Sequence, residues 1–362
     1  MFDFVPLESY TNLQYYVLLL IAIIILLHSF IYKIDDDKSI QFFNFFGYLV
    51  LILYVLYIGL RPISGKYFGD TSTYAQAYKL LQEGKDVKIE KDFMFNYFMA
   101  FCSKIIDVHT FFLALDILFI LPMFFFSKRY FGKYWFFVFF LFIGSFLTWA
   151  SGTNGLRNGL GTSFFILALC FYNRKLIMYM LFILSYFMHA SLIITIFAYL
   201  VSGSYKDPRK YIYIWLIAIP LSILGGSSWT NFFGNLGFED RTAGYLTNSD
   251  ENMKQFSKTG FRWDFLLYSA TAVLAGAYFI FKKKIIDTFY IHLFGIFCIA
   301  NAFWILVITA AFSNRFAYLS WFLMPVVIAY PMLRYKIWKD QYKTFAVVMF
   351  LYFMFTFVMN VK

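Results

Sequence analysis

One arginine in a mostly apolar chain has the setting of an anion site. Arg157 follows a glycine-rich break, Ser151-Gly-Thr-Asn-Gly-Leu-Arg-Asn-Gly-Leu-Gly161, and stands at the start of an apolar run. If that run is a helix, its free N–H groups and positive end face the same place as the guanidinium, which suits a phosphate. The alternative is that the glycines permit close helix packing while Arg157 extends to the lipid headgroups.

Three further charged positions could complete a site for a pyrophosphate leaving group. With Arg315 as a second forked cation, the pair would clamp a pyrophosphate and stabilise it as a leaving group. Otherwise Arg315 forms a structural pair with Asp264 or Asp116. Asp70 is either a helix N-cap or a carboxylate that deprotonates an attacking hydroxyl or orders a sugar hydroxyl. Arg61 then serves as a phosphate contact or as an ion-pair partner.

A histidine and several weaker candidates remain. His189 interrupts an apolar stretch, so it is either a packing residue or a base. Asp116 is an intramembrane carboxylate that should pair with an arginine or with His189. The weaker candidates are Arg241, Arg262 and Asp264. The sequence has no spacing typical of metal ligands, a nucleotide loop or a nucleophile elbow, so we expect neither a metal nor a cofactor.

The composition indicates which solvent these residues face. Of 362 residues, 61% are hydrophobic and 14% are charged, which is too few charges for a water-exposed surface. The net charge of +11 comes from short basic clusters between long apolar runs. This pattern favours loops at anionic headgroups over nucleic-acid binding. The three cysteines stand apart and are expected to act as small hydrophobic residues in helices.

Apolar runs of about 20 residues are long enough to cross a bilayer as helices. About ten qualify, and they cover 13–32, 42–60, 109–127, 134–150, 156–172, 211–225, 263–281, 288–311, 316–333 and 344–360. The first run is too long for a signal peptide and has no basic stretch before it. We therefore predict an all-α polytopic membrane protein with one integral membrane domain over 1–362.

The basic loops set an orientation, because short loops rich in Lys and Arg stay cytoplasmic. All six basic clusters fall on that side only if residues 176–205 enter the membrane and return. We predict a re-entrant helix pair there, with its turn near Met188, His189 and Ala190. Both termini then face outward, and so do two hydrophilic segments, 61–108 and 226–262. The second segment has the mixed composition of a lid or substrate platform.

The first outer segment should contain a helix that lies along the membrane surface. Over 73–82, the side chains of Tyr74, Ala77, Tyr78 and Leu81 share one helical face. A second helical turn is expected over 95–103. This segment would carry Asp70 next to its surface helix.

The order of four motifs resembles the EpsG-like family of bacterial polysaccharide polymerases, which are of Wzy type. The motifs are Arg61 with Gly69-Asp70 and Tyr74, then Asn154-Gly-Leu-Arg157, then His189-Ala-Ser191, then Ser313-Asn-Arg315. After Arg157 the sequence departs from the family's usual small or Gln positions. The resemblance covers most of the chain.

The resemblance implies a membrane glycosyltransferase with a GT-C-like body in the bacterial cytoplasmic membrane. Such an enzyme transfers a growing O-antigen, capsule or exopolysaccharide chain from undecaprenyl pyrophosphate to the non-reducing end of a lipid-linked repeat, on the outer face. It would work among membrane lipids, beside a flippase and a chain-length regulator. Asp70 or His189 would then be the base, Arg157 and Arg315 would hold the pyrophosphate with Arg61 as a further contact, and the sugar contacts would be Tyr67, Tyr74 and Tyr78.

Three other functions are weighed against this one. An O-antigen-type ligase would use a similar donor and similar outer arginines with another acceptor. A lipid-linked oligosaccharide flippase or other transporter predicts repeated halves with broken helices, which the sequence lacks. A membrane-bound acyltransferase would use the histidine as a base but would give the outer arginines no role.

Overall fold

The structure is a computed structural model that describes residues 2, 4–85, 87, 92–235, 260–310 and 313–361. Across these residues it is helical, without β-strands. The helices account for most of the described residues, and many of them coincide with the apolar runs in the sequence. The prediction of an all-α membrane protein is confirmed at this level.

Eighteen α-helices are found among the described residues. In chain order they are α1 (Leu7–Ile31), α2 (Asp37–Gly59), α3 (Gly65–Phe68), α4 (Thr71–Gln82), α5 (Phe93–Ser103), α6 (Val108–Phe131), α7 (Trp135–Ile143), α8 (Phe146–Thr153), α9 (Leu156–Cys170), α10 (Lys175–Met188), α11 (Ile193–Ser204), α12 (Pro208–Gly225), α13 (Ser227–Asn235), α14 (Trp263–Ala277), α15 (Thr288–Leu306), α16 (Asn314–Trp321), α17 (Met324–Arg334) and α18 (Gln341–Asn360).

Seven helical stretches of the described chain are long and apolar enough to cross a membrane. The predicted span over 156–172 forms a shorter apolar helix, α9, and α10 in the predicted re-entrant segment is another. The run over 134–150 is divided into α7 and α8, which are separated at Gly144 and Ser145. The count of ten spans and the GT-C-like body stay predictions.

Two local predictions about helix ends agree with the structure. Helix α10 ends at Met188, and a 3-10 turn begins at Ala190, so the break falls at His189. Helix α12 ends at Gly225, followed by Gly226 with a φ of 43°, a left-handed conformation that glycine adopts without steric cost. Whether 176–205 re-enters the membrane stays a prediction.

The backbone contacts group the chain into two compact units. The first comprises Met1–His189 with Met332–Lys362, and the second comprises Ala190–Pro331. The core of the second unit contains a buried polar network centred on Asn301. Its amide accepts from Trp215 Nε1 at 2.7 Å and donates to the hydroxyls of Ser269 and Ser320. Satisfied networks of this kind fix the register of helices that apolar packing alone leaves less specified.

In the first unit, α4 and α5 lie against the longer helices. Helix α4 contacts α5 and α6, and helix α5 contacts α6 and α10. Of the four residues predicted to share one face of α4, Tyr78 is fully buried and stacks on Phe111 with ring centroids 4.7 Å apart. Helix α9 packs on both α6 and α10. These contacts bring the first outer segment beside the start of α9 and the end of α10.

Candidate active site

The turn that begins α4 holds the residue pair Gly69-Asp70 against the break before α9. Gly69 has a φ of 56°, and a Cβ at this position would overlap the side-chain amide of Asn154. The backbone N–H of Asp70 donates to Asn154 Oδ1 at 2.8 Å. Glycine is therefore required here both for the left-handed backbone and for the close approach. The contact ties the turn before α4 to the helix that carries Arg157.

A buried ion pair lies next to this turn and is hydrogen-bonded to it through Thr71. Arg61 Nη1 lies 2.7 Å from Asp116 Oδ2, with side chains 0% and 1% exposed. Arg61 Nη2 donates to Thr71 Oγ1 at 3.3 Å, and that hydroxyl donates to the carbonyl oxygen of Thr153. An arginine partner for Asp116 was among the predicted alternatives. Because the Arg61 guanidinium is enclosed and already paired, its geometry favours a role in positioning the turn over direct contact with a phosphate.

We expect Arg61→Met to lower the free energy of unfolding by about 3–5 kcal/mol, because it leaves the Asp116 carboxylate buried without its partner. The double variant Arg61→Met with Asp116→Leu should regain most of that loss, since replacing both charges removes the uncompensated one. Denaturant unfolding of the detergent-solubilised protein measures both. Exposed Arg129→Met is the matched control; equal stability of the Arg61 and Arg129 variants would contradict the expectation.

Arg157 lies in the first turn of α9, where the sequence places it. Its Nε donates to the hydroxyl of Tyr74 at 3.1 Å, and its Nη1 lies 2.7 Å from Asp92 Oδ2. The side chain is 26% exposed. Arg157 is thus held from two sides in a fixed orientation, and it is neither fully enclosed nor extended to headgroups. A forked cation held in this way is preorganised for an anion that approaches from its exposed side.

The partner of Arg157 is a carboxylate that the sequence analysis did not single out. Asp92 is 1% exposed in its side chain, and its backbone is left-handed, with a φ of 53° and a ψ of 47°. Residues other than glycine adopt this conformation at a cost, and such residues cluster at functional sites. The carbonyl oxygen of Asp92 accepts from the backbone N–H of Asn96 at 3.2 Å. The backbone therefore begins α5 while the side chain faces Arg157.

Asp70 and Asp92 lack the side-chain cap bond that most aspartates at helix starts make, as does Asp340 before α18. At the N-caps of four other helices, an Asp side chain accepts a backbone N–H; these are Asp36, Asp107, Asp207 and Asp287. Asp70 and Asp92 occupy the same position at α4 and α5 without a side-chain cap bond. The N-cap interpretation of Asp70 therefore lacks its hydrogen bond. Both side chains lack a stabilising interaction worth about 1 kcal/mol, and the carboxylate of Asp92 pairs with Arg157 instead.

His189 approaches the same oxygen that Arg157 contacts. Its Nδ1 lies 3.6 Å from Asp92 Oδ2, and its side chain is 11% exposed. A small closing movement would form an imidazole-carboxylate hydrogen bond. In that arrangement Asp92 fixes the orientation and tautomer of the ring and leaves Nε2 as the basic atom. The structure thus brings two of the predicted residues, Arg157 and His189, to one carboxylate.

Tyr74 completes the cluster on the side of α4. Burial raises the pKa of its phenol above the usual value, and the nearby carboxylates of Asp70 and Asp92 raise it further, while Arg157 lowers it. The phenol therefore keeps its proton at neutral pH. Because it already accepts from Arg157 Nε, its O–H remains a donor. Such a group can hold a sugar oxygen or a phosphate oxygen.

The other two predicted sugar-binding tyrosines lie outside this cluster. Tyr67, on α3, has its hydroxyl 3.4 Å from Glu8 Oε1. Tyr78 is 0% exposed, and its hydroxyl donates to the carbonyl oxygen of Ile106 at 2.8 Å. The position of Tyr78 is that of a packing residue, since no face of its ring is left open to a sugar. A sugar contact is better supported at Tyr74.

The remaining predicted residues belong to the second unit. Arg315 lies in the first turn of α16 and is half-buried. Arg262 pairs with both carboxylate oxygens of Asp264, at 2.9 and 2.6 Å, and stacks over the ring of Phe265. The two carboxylates named as structural partners for Arg315 therefore each form a salt bridge with a different arginine, Asp116 with Arg61 and Asp264 with Arg262. Arg241 lies outside the described residues.

Comparison with known proteins identifies a matching family. The EpsG family model matches residues 44–362. No curated protein and no solved structure matches the chain. The matched residues include the turn at Gly69, the cluster of Asp92, Arg157 and His189, and the start of α16.

Proposed function

Because the chain belongs to the EpsG family, as its motifs led us to expect, we propose that it polymerises a bacterial polysaccharide from lipid-pyrophosphate-linked repeats. The family is of the polysaccharide-polymerase type, which implies glycosyltransferase activity in general. The donor that we propose is a glycan chain on undecaprenyl pyrophosphate. The acceptor is the non-reducing end of a second lipid-linked repeat.

One observation carries this proposal. A part-exposed arginine and a histidine meet at one buried carboxylate, beside a protonated phenol, in an apolar membrane protein. Glycosyl transfer from a pyrophosphate needs a cation for the departing anion, a base for the acceptor hydroxyl and donors for sugar oxygens. The cluster contains one group for each need.

The reaction assigns each group a role. The acceptor hydroxyl oxygen attacks the anomeric carbon of the donor sugar, the bond from that carbon to the pyrophosphate oxygen breaks, and the lipid pyrophosphate departs. His189 Nε2 receives the hydroxyl proton, with Asp92 orienting the ring. Arg157 stabilises the charge that develops on the leaving pyrophosphate. Tyr74 and Asp70 contact sugar hydroxyls, and the contribution of Arg315 to pyrophosphate binding remains a prediction.

The place of the reaction follows from the charge pattern. With the basic clusters cytoplasmic, the segment that carries Asp70, Tyr74 and Asp92 faces the outside of the cytoplasmic membrane. We propose that repeats delivered there by a flippase are joined at this face, and that a chain-length regulator acts beside the polymerase. Chemistry confined to the outer face has no access to cytoplasmic nucleotide sugars, which agrees with a lipid-linked donor.

The test is a reaction with defined components. Purified full-length protein is incubated with a synthetic polyprenyl-pyrophosphate oligosaccharide repeat, and the products are sized by gel electrophoresis and mass spectrometry. The proposal predicts a ladder spaced by one repeat, together with release of polyprenyl pyrophosphate. Transfer of the glycan to a different acceptor, with no ladder from the repeat alone, would favour a ligase instead.

A further inference from the structure

A polar cavity of about 600 Å³ lies between two loops of the first unit. One side is the end of α1 and the loop after it, over 29–35, and the other is the end of α17, the following loop and the start of α18, over 333–343. Helices long and apolar enough to cross a membrane end or begin on both sides, at Ile31, Arg334 and Gln341. If these helices span the bilayer, the cavity lies at the depth of the lipid headgroups. The basic clusters predict that this is the cytoplasmic side.

Basic side chains dominate the lining of this cavity, five against the two carboxylates of Asp35 and Asp340. Lys33 lies on the first side, and Lys336 and Lys343 lie on the second. All three are exposed, and within the described part of the chain none of the three forms a salt bridge. A cleft with cations on both sides raises the local concentration of anions. The lining therefore favours a negatively charged ligand.

A smaller cavity of about 400 Å³ shares Arg334 with the first and extends the positive surface. Its lining adds Arg129 and Lys133 and, among the described residues, no carboxylate. The hydroxyls of Tyr134 and Tyr342, one from each cavity, form a hydrogen bond with each other at 2.8 Å. The two cavities therefore present one basic surface around a fixed pair of tyrosines.

Both loops that carry these cations are held in place by buried side chains. Gln341 is 5% exposed; its Nε2 donates to the carbonyl oxygen of Met332 at 2.5 Å, and its Oε1 accepts from the backbone N–H of Ile337 at 2.6 Å. These two bonds close the loop between α17 and α18. In the loop after α1, Ile34 is 1% exposed and anchors the backbone next to Lys33. A ligand therefore meets loops that are already ordered, which lowers the entropic cost of binding.

The surroundings of the cavity favour the headgroup of a lipid over a soluble anion. Phe30, Ile31 and Tyr32 line it at the end of α1 and are more than half exposed. Their apolar surfaces lie beside the cations, where the acyl chains of a bound lipid would contact them. Trp338, on the other side, is half-buried, and such aromatic rings are typical of the membrane interface. Zwitterionic headgroups carry a cation beside their phosphate, so the excess of positive charge favours an anionic lipid.

We propose that this cavity binds the headgroup of an anionic phospholipid of the predicted cytoplasmic leaflet, with its phosphate between Lys33 on one side and Lys336 on the other. A headgroup in this position links the loop after α1 to the loop before α18. Because the two loops come together only in the folded protein, the bound lipid stabilises the fold by mass action. The cavity contains none of the residues of the candidate active site, and the proposal does not depend on polymerase activity.

Native mass spectrometry measures lipid binding without requiring turnover. The full-length protein in an uncharged detergent is titrated with phosphatidylglycerol or with phosphatidylcholine of the same acyl chains, and ATP serves as a soluble phosphate competitor. Lys33→Gln with Lys336→Gln neutralises one cation on each side of the cavity. The control, Lys206→Gln with Lys210→Gln, removes the same charge from another predicted cytoplasmic cluster, at the start of α12, and all four lysines are exposed. Thermal unfolding with each lipid is measured in parallel.

We expect wild type to bind its first phosphatidylglycerol about tenfold more tightly than phosphatidylcholine, and to gain thermal stability from it. The cavity variant should lose about tenfold in affinity for phosphatidylglycerol, together with most of that gain, while the control variant keeps both. Equal affinity for the two lipids in wild type, or equal losses in the two variants, would overturn the proposal and show only diffuse attraction to a basic surface. Displacement of the lipid by micromolar ATP would overturn it in favour of a soluble phosphate ligand.

Discussion

Arg157→Lys should reduce polymer formation by about 10²- to 10³-fold and leave single-repeat lipid-linked product to accumulate. This is the loss seen when one preorganised donor to a developing anion is removed. Lysine keeps the charge but not the fork. It therefore cannot contact the Tyr74 hydroxyl and Asp92 Oδ2 while also facing the pyrophosphate. Product sizing at matched expression measures the effect, and Arg157→Ala should be at least as impaired.

The matched control is Arg209→Lys, an exposed arginine in the first turn of α12. This variant makes the same chemical change at the start of another helix and should give wild-type chain lengths. If Arg157→Lys also retained wild-type chain lengths, the forked geometry would be irrelevant and Arg157 would act at most as a diffuse charge.

Asp92→Asn should cause a loss of similar size, about 10²-fold or more, although it changes no side-chain volume. The neutral amide no longer holds Arg157 by an ion pair, and it does not orient the His189 ring as a carboxylate does. The start of α5 should survive, because the backbone carbonyl of Asp92, not its side chain, accepts from Asn96. We therefore expect a folded but inactive protein. Its elution profile in size-exclusion chromatography reports folding, and product sizing reports activity.

Asp107→Asn provides the comparison for Asp92→Asn. Asp107 caps α6 in the same segment, 61–108, and the amide oxygen of asparagine can accept the same backbone N–H groups. It should therefore remain active. Combining Asp92→Asn with His189→Ala should add little to the loss from either change, since residues that act as a unit are not additive. Additive losses would separate the carboxylate from the histidine.

The sequence predicted those structural features that one local pattern of residues determines. Long apolar runs predicted helices, and the break at His189 lies where charge patterning required a turn. The position of Arg157 in the first turn of α9 followed from the glycine-rich break before it. The helix α4 followed from the spacing of Tyr74, Ala77, Tyr78 and Leu81. These features depend on residues near each other in the chain.

The sequence was less informative where distant residues meet. Asp92 precedes an apolar helix, as Asp107 does, so in sequence it has the same character as an ordinary N-cap. Only packing of α5 against α10 shows its carboxylate turned toward Arg157, 65 positions along the chain. The pairing of Arg61 with Asp116 and the burial of Tyr78 likewise depend on helix contacts. A carboxylate directly before the apolar run that begins at Phe93 was the available signal for Asp92.

External labelling beside Tyr74 tests most directly whether polymerisation occurs at this cluster on the outer face. The native cysteines are buried, and Thr73 is exposed on α4, so Thr73→Cys offers a reactive thiol next to the site. Polymer synthesis is measured in spheroplasts before and after treatment with a bulky membrane-impermeant maleimide, with exposed Lys339→Cys on the predicted cytoplasmic side as control. We predict that the reagent labels Thr73→Cys and stops polymer synthesis, while Lys339→Cys stays unlabelled and active. Complete labelling of Thr73→Cys with undiminished polymer, or labelling only after permeabilisation, would contradict the account.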